Sequence, residues 1–272
     1  MFKILEAREL AKDIKYVKVN APEVAAQASA GQFIILRVDE SGERFPLTIY
    51  DYDVEEGSVS MVFLEVGTST QKLGELKKGE AIADFLGPLG HPFNVKKIGR
   101  VACVGGGVGT PAIYTIAKAL KNAGNHVTSI IGAKTKELLI LEDEMRSVSD
   151  ELRVATDDGS YGTKGFVTTI LGDMLSELDL VVAVGPLPMM KAVADLTRNK
   201  VKTIVSLNPI MVDGTGMCGG CRVSVAGETK FTCVDGPDFD AHEVDFAELM
   251  ERNRTYVSEE KKSHECKVGL DA

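Results

Sequence analysis

No apolar run in this chain is long enough to cross a bilayer. The longest, such as Leu178–Val184, are interrupted by an acid and fall far short of the roughly 20 residues a spanning helix needs. The N-terminal stretch MFKILEARELAKDIKYVKVN alternates apolar and charged residues and lacks a continuous hydrophobic region, so no signal peptide is expected. Basic residues are in deficit. The 31 Lys and Arg against 40 Asp and Glu leave a net charge of −9, which excludes a broad nucleic-acid-binding face while leaving room for a local basic pocket. Cysteine is scarce too. The five are Cys103, Cys218, Cys221, Cys233 and Cys266. An odd number, three of them clustered, with no export signal, argues against a disulfide framework and for a metal site in a cytoplasmic protein. Neither internal repeats nor low-complexity tracts occur.

What is present reads as two domains and a small third across 272 residues, with 44% hydrophobic and 26% charged composition. Residues 1–97 carry short period-two segments separated by turn signals: Lys15–Val19, Gln32–Val38, Leu47–Tyr52 and Ser58–Leu64. These predict an antiparallel barrel. From residue 98 to 207 strand and helix patterns alternate. Strands are expected at Arg100–Val104, His126–Gly132, Leu152–Ala155, Leu180–Val184 and Thr203–Leu207, the last of its sheet. Helices are expected at Pro111–Asn122, Leu139–Ser147, Gly165–Leu175 and Met189–Asn199. Such alternation predicts a parallel sheet built from βαβ units. Residues 208–254 look loop-like through Cys233 and end in a helix at Asp245–Arg254, and 255–272 form a polar tail.

Three constellations carry chemistry. Gly105-Gly106-Gly107-Val108-Gly109-Thr110 lies between a strand and a helix, where glycines admit a pyrophosphate and a helix N-terminus faces it. A tight ligand-free turn has the same composition. Gly185-Pro186-Leu187-Pro188-Met189 follows a later strand end and supports a nucleotide crevice, although Pro also simply starts helices. In the first half Arg44-Phe45-Pro46-Leu47-Thr48 and Gly67-Thr68-Ser69-Thr70 offer an arginine and hydroxyls for a phosphate; an edge arginine and a turn are the plain alternative. Gly87-Pro88-Leu89-Gly90 reads as a turn between domains, and His91, His126, His242 and Cys103 as structural or surface residues.

The third constellation is Asp213, Cys218, Cys221 and Cys233. Its x4-x2-x11 spacing is that of a plant-type [2Fe–2S] loop with aspartate in the first ligand position. The same donors suit tetrahedral zinc; the spacing and the nucleotide context favour the cluster. An oxygen ligand is harder than a thiolate and alters the potential.

Taken together, these motifs resemble the ferredoxin-reductase superfamily, whose members place a flavin barrel before a nicotinamide-nucleotide domain. Arg44-x-Pro46-x-Thr48 resembles its flavin motif. Gly67…Thr70 resembles its flavin-phosphate segment, with Ser69 where glycine is usual. Gly105–Thr110 and Gly185-Pro186-x-Pro188-Met189 resemble its nucleotide segments. The cluster loop is similar to that of dihydroorotate dehydrogenase electron-transfer subunits. It is more similar still to the small subunits of NADH-dependent ferredoxin:NADP oxidoreductases, also called sulfide dehydrogenase subunit beta. The segments 156–162, 206–218 and 233–237 carry that likeness.

The resemblance implies FAD held by Arg44, Pro46, Leu47, Thr48, Gly67, Thr68, Ser69 and Thr70. It implies NAD(H) at Gly105, Gly106, Gly107, Val108, Gly109, Thr110, Lys134, Asp157, Asp158, Gly185, Pro186 and Met189, and a [2Fe–2S] cluster on Asp213, Cys218, Cys221 and Cys233. It further implies a heterodimer with a larger flavoprotein that bears [4Fe–4S] clusters and an NADP(H) site, exchanging electrons with ferredoxin by flavin-based bifurcation. An electron-transfer subunit for dihydroorotate dehydrogenase, or for a sulfide dehydrogenase, is the alternative. The acids Glu142–Glu144 near the second strand end disfavour an extra 2′-phosphate, and Lys134 and Lys136 leave it open.

Overall fold

A computed structural model describes residues 1–255. Cys266 and nearly all of the expected polar tail lie outside the described residues. The first third is wholly antiparallel. One sheet orders the strands Asp51–Asp53, Ser58–Leu64, Ile14–Asn20, Phe2–Ala11 and Ala81–Ile82; a second orders Phe45–Thr48, Phe33–Arg37 and Asp84–Leu89. They enclose Ile4, Val17, Val19, Ile34, Leu36, Val59, Met61 and Phe63. Each such side chain taken from water contributes about 1.5–3 kcal/mol.

The second part is a seven-stranded sheet in the order Thr163–Lys164, Glu151–Thr156, His126–Ala133, Arg100–Gly106, Leu180–Val184, Thr203–Ser206 and Asp238–Asp240. All neighbours run parallel except the last pair. The central strand, Arg100–Gly106, is apolar on both faces because helices cover both. On one face Val101 and Cys103 pack with the helix Thr110–Asn122 and with Tyr16, Tyr50 and Val62 of the barrel. On the other, Ala102 and Val104 share a core with Val223, Val225, Phe239 and Phe246 from the C-terminal segment.

Several elements depart from the sequence reading. Leu47–Tyr52 is not one strand; the chain turns at Ile49-Tyr50 between Phe45–Thr48 and Asp51–Asp53, because both residues are buried and cannot continue an alternation. Gly87-Pro88-Leu89 is not a turn but belongs to the strand Asp84–Leu89, with a cis Gly87–Pro88 bond, and the turn waits for Gly90. The helix expected at Leu139–Ser147 starts only at Glu142, since Leu141 has φ 59°. That expected at Gly165–Leu175 spans Val167–Gly172. The helix expected at Met189 begins at Leu187, where Pro188 fits the first turn. The terminal helix is Phe246–Arg252, capped by the Asp245 carboxylate accepting from Glu248 N at 3.0 Å.

The stretch after Asn208 is more ordered than expected. It holds a hairpin, Arg222–Val225 with Glu228–Phe231, a short helix Thr232–Asp235, and the sheet's edge strand Asp238–Asp240. Thr203–Ser206 is therefore not the sheet's last strand. His242 is half-buried, its Nε2 3.1 Å from Thr197 Oγ1. Among the described residues no helix is long and apolar enough to cross a membrane.

Candidate functional site

The glycine turn is shaped by close approach. Gly106 ends its strand, Gly107–Gly109 is a single 3-10 turn, and the helix Thr110–Asn122 follows. A Cβ on Gly106 would sit 2.4 Å from Met189 Sδ, one on Gly185 2.7 Å from Met189 Cε, and one on Gly109 2.2 Å from Val184 O. Only Gly109, packed on the Val184 carbonyl, is required by backbone contact; at Gly106 and Gly185 the nearest atoms belong to the end of the flexible Met189 side chain, which fills the space between the two segments. Gly107 differs: its φ is +53° and a Cβ there would meet nothing within 4 Å. That open notch at a helix N-terminus is where a pyrophosphate would lie. Thr110 is buried with its Cα 3.0 Å from the Gly105 Cβ position, so the backbone and not this side chain faces the notch.

At the neighbouring strand ends Lys134, Asp157 and Asp158 are exposed. The Asp158 carboxylate accepts from Ser160 Oγ at 2.7 Å and Ser160 N at 2.9 Å, and these bonds hold its pKa below the usual carboxylate value. Lys136 Nζ lies 5.3 Å from the Tyr161 ring centroid, and the Tyr161 hydroxyl donates to Glu142 at 3.0 Å. This rim carries Asp157, Asp158 and Glu142 beside the exposed Lys134, and Lys136 stands against an aromatic ring.

On the barrel, Phe33–Arg37 pairs with Phe45–Thr48 in the register Ile34↔Leu47 and Ile35↔Pro46. Phe45 and Leu47 pack on the barrel core. Arg44, Pro46 and Thr48 therefore share the outer face by the two-residue period, and Leu47 supports them from within. The Thr70 hydroxyl closes the start of the helix Thr68–Glu75: it accepts from Val66 N at 3.0 Å and Gly67 N at 3.2 Å and donates to Gly67 O at 3.0 Å. Thr70 thus shapes this helix N-terminus, with Gly67, Thr68 and Ser69 half-buried beside it.

The metal-loop residues form two pairs. Cys221 Sγ and Cys233 Sγ are 3.2 Å apart and buried in a pocket with Phe33, Ile35 and Met211. Burial and the Cys221 neighbour push the Cys233 thiol up to about 12, so it yields its proton only to a metal. Asp213 and Cys218 form the outer pair: the carboxylate accepts from Thr215 N at 2.8 Å and Cys218 N at 2.7 Å, and those backbone bonds lower its pKa. Arg222 donates to Gly219 O at 3.1 Å and Arg252 to Gly220 O at 3.2 Å, bringing two cations to the loop. Among the described residues no three His, Cys, Asp or Glu side chains gather as one metal ion would need. Two pairs suit the two irons of a cluster better than a single zinc. Gly214, with φ +73°, seats the loop on the barrel; a Cβ there would lie 2.7 Å from both Ile35 and Leu89.

A cleft of about 460 Å³ brings the flavin and cluster candidates together, lined by Arg44, Ile35, Leu36, Leu86, Asp213 and Thr215. Three groups were not singled out in the sequence. Tyr50 and Tyr114 meet across the two parts at 5.0 Å. Asp238, half-exposed as a residue, has both carboxyl oxygens sealed from solvent and without a hydrogen-bond partner. Burial pushes its pKa up to about 7, opposed in part by Ser206, which faces it across the strands. A lone acid before a phenylalanine gives no sequence signal of such burial.

A flavin-type barrel, a glycine-turn nucleotide sheet and a cysteine loop define an electron-transfer subunit of the ferredoxin-reductase class. Comparison with known proteins agrees. Residues 208–245 match the iron–sulfur cluster binding domain of dihydroorotate dehydrogenase B. The chain is 48% identical over 265 residues to a dihydroorotate dehydrogenase B (NAD(+)) electron transfer subunit homolog of Thermotoga maritima, covering 96% of this chain and 94% of that one. It is 36% identical over 250 residues to the electron transfer subunit of a Geobacillus species, covering 89% and 96%. A chain of the NADH-dependent reduced ferredoxin-NADP oxidoreductase, solved in a study of flavin-based electron bifurcation, superposes with a TM-score of 0.93 at 46% identity over 98% of both chains. Phthalate dioxygenase reductase shares the fold alone, with a TM-score of 0.59 at 16% identity over 82% of this chain and 85% of that one. The chain belongs to the family of dihydroorotate dehydrogenase B electron transfer subunits and their homologues.

Proposed function

We propose that this chain is the NAD(H)-dependent small subunit of a reduced ferredoxin:NADP oxidoreductase, handing electrons to a larger iron–sulfur flavoprotein in the cytoplasm. The observation that carries the reading is that one cleft is lined by both Arg44, a proposed flavin contact, and Asp213, the proposed first cluster ligand. FAD held by this barrel would supply hydride acceptance from NADH and one-electron release to a [2Fe–2S] cluster. The protein's part is orientation. Arg44 offers a guanidinium to the flavin phosphates, with Pro46 and Thr48 on the same face and the Gly67–Thr70 helix start nearby in the barrel. Gly107 leaves space for the dinucleotide pyrophosphate, Gly105, Gly106, Val108 and Gly109 shape the turn, and Gly185, Pro186 and Met189 brace it. Lys134, Asp157 and Asp158 line the far rim, whose acids favour NAD(H) over NADP(H).

We further propose the division into 1–97 for flavin, 98–207 for nucleotide, 208–254 for the cluster and 255–272 as tail. Asp213, in place of a fourth cysteine, favours this assignment over a dihydroorotate dehydrogenase partner. The larger subunit, with [4Fe–4S] clusters and the NADP(H) site, and ferredoxin acting through it, follow from the same reading.

Anaerobic purification with the co-purifying partner tests this. Flavin, about two irons per small chain beyond the partner's clusters, and bleaching by NADH before NADPH are expected. Absence of flavin, or co-purification of a dihydroorotate dehydrogenase, overturns it. Asp213→Cys should keep a cluster but alter its EPR spectrum; an unchanged spectrum removes Asp213 from the ligand set.

A further inference from the structure

The barrel and the nucleotide sheet are joined by an aromatic seam rather than by slippery apolar packing alone. Tyr50 lies two residues after Thr48, the end of the proposed flavin strand, and Asp51 opens the next strand. Tyr114 lies four residues into the helix that starts at Thr110, directly after the glycine turn, and Lys118 is one turn further. The Tyr50 and Tyr114 rings meet at 5.0 Å and 41°. Tyr16 packs edge-on against Tyr50 at 6.2 Å, and Tyr16 hydroxyl lies 3.0 Å from Ser60 Oγ. Lys118 Nζ bonds Asp51 Oδ1 at 3.1 Å and stands 5.6 Å from the Tyr114 centroid. Burial pushes the Tyr50 phenol well above its usual pKa, so the seam carries no phenolate at working pH. The barrel strand Ser58–Leu64 also lies against the Gly107–Gly109 turn itself.

The two contacts that cross the seam each begin within three residues of Thr48, at Tyr50 and Asp51, and end on the helix that follows the glycine turn, at Tyr114 and Lys118. Ring pairs have few rotatable bonds and a preferred tilt, so they fix a distance better than aliphatic side chains do. Hydride transfer is steep in distance: a displacement of about 1 Å can cost about 100-fold in rate. We propose that Tyr114, seated on Tyr50 and braced by the Lys118–Asp51 pair, is a positioning residue that sets the gap between the two cofactor sites. The inference rests on the NADH–flavin reading above.

The test uses the anaerobic holoprotein and stopped-flow reduction of the flavin by NADH. Tyr114→Leu is expected to keep full flavin and iron content and an NADH dissociation constant within about threefold, and to slow reduction about tenfold or more with a persisting primary deuterium isotope effect. Tyr114→Phe, which retains the ring, should restore the rate to within about twofold. Amide hydrogen exchange supplies a readout independent of turnover. Residues 105–110 should exchange faster in Tyr114→Leu, with the strands Arg100–Gly106 and Leu180–Val184 otherwise unchanged up to Val104 and Val184.

A wild-type rate in Tyr114→Leu, or a rate as slow in Tyr114→Phe as in Tyr114→Leu, overturns the proposal. Should Tyr114→Leu lose its flavin, Lys118→Met probes the same seam and must slow reduction for the proposal to stand. Failure of the wild-type protein to be reduced by NADH would instead overturn the functional reading, leaving the seam to be judged by exchange at 105–110.

Discussion

Asp238 shows how one residue can load a fold with pH dependence. Its carboxyl is neutral in the folded protein up to about pH 7, whereas an unfolded aspartate ionises near pH 4. Between those values the folded state holds the extra proton. Stability is therefore highest below about pH 4, falls as pH rises toward 7, and levels off above. The full span corresponds to about 4 kcal/mol as an upper figure. Asp238→Asn should raise the melting temperature at pH 8 and give little gain at pH 4.5; an equal gain at both would mean that the carboxyl is not the source. Cys103 illustrates the opposite outcome of burial. Its thiol, pushed up to about 12 in the sheet core, is inert packing, as its place in an apolar strand suggests.

At the scale of elements, two glycines separate two functions. Gly107 borders open space and Gly214 borders Ile35 and Leu89. Gly107→Val should weaken NADH binding about tenfold or more while flavin and cluster remain, because the new side chain occupies the notch in a backbone region costly for L-residues. Gly214→Ala should release the loop and lose iron while flavin and NADH binding remain. Loss of iron in Gly107→Val, or of NADH binding alone in Gly214→Ala, would contradict the site assignments. The central strands Arg100–Gly106 and Leu180–Val184 were legible because both faces are covered, so they read as nearly continuous apolar runs, while the two-residue edge strand Thr163–Lys164 was not. The hairpin Arg222–Val225 with Glu228–Phe231 was not, because its strands are only four residues each, the second is mostly polar, and they lie between Cys221 and Cys233, whose spacing reads as a loop. The glycine turn between strand and helix was legible from its spacing, and the cysteine segment read as a cluster loop lies in residues 208–245, which match the iron–sulfur domain. The tyrosine seam was hidden because Tyr114 fits its helix's buried stripe as any apolar residue would, and only tertiary structure shows that it faces the barrel.

At the scale of the whole molecule, the proposed cluster loop carries exposed apolar side chains: Met217 is 89% exposed and Val212 51%, and Cys218 next to Met217 is exposed too. Leu86, 50% exposed, lines the cleft that Asp213 and Thr215 also line. Exposed apolar side chains on a loop suit contact with a protein partner. Met217→Glu should leave flavin reduction by NADH unchanged and weaken co-purification of the larger subunit. Unaltered co-purification would place that subunit elsewhere.

The edge strand Asp238–Asp240 comes from the cluster segment yet completes the nucleotide sheet, pairing antiparallel with Thr203–Ser206. During synthesis that strand leaves the ribosome after every other strand of the sheet. That sheet therefore gains its border only from residues that follow Cys233, so the whole cysteine loop has emerged before the border can form.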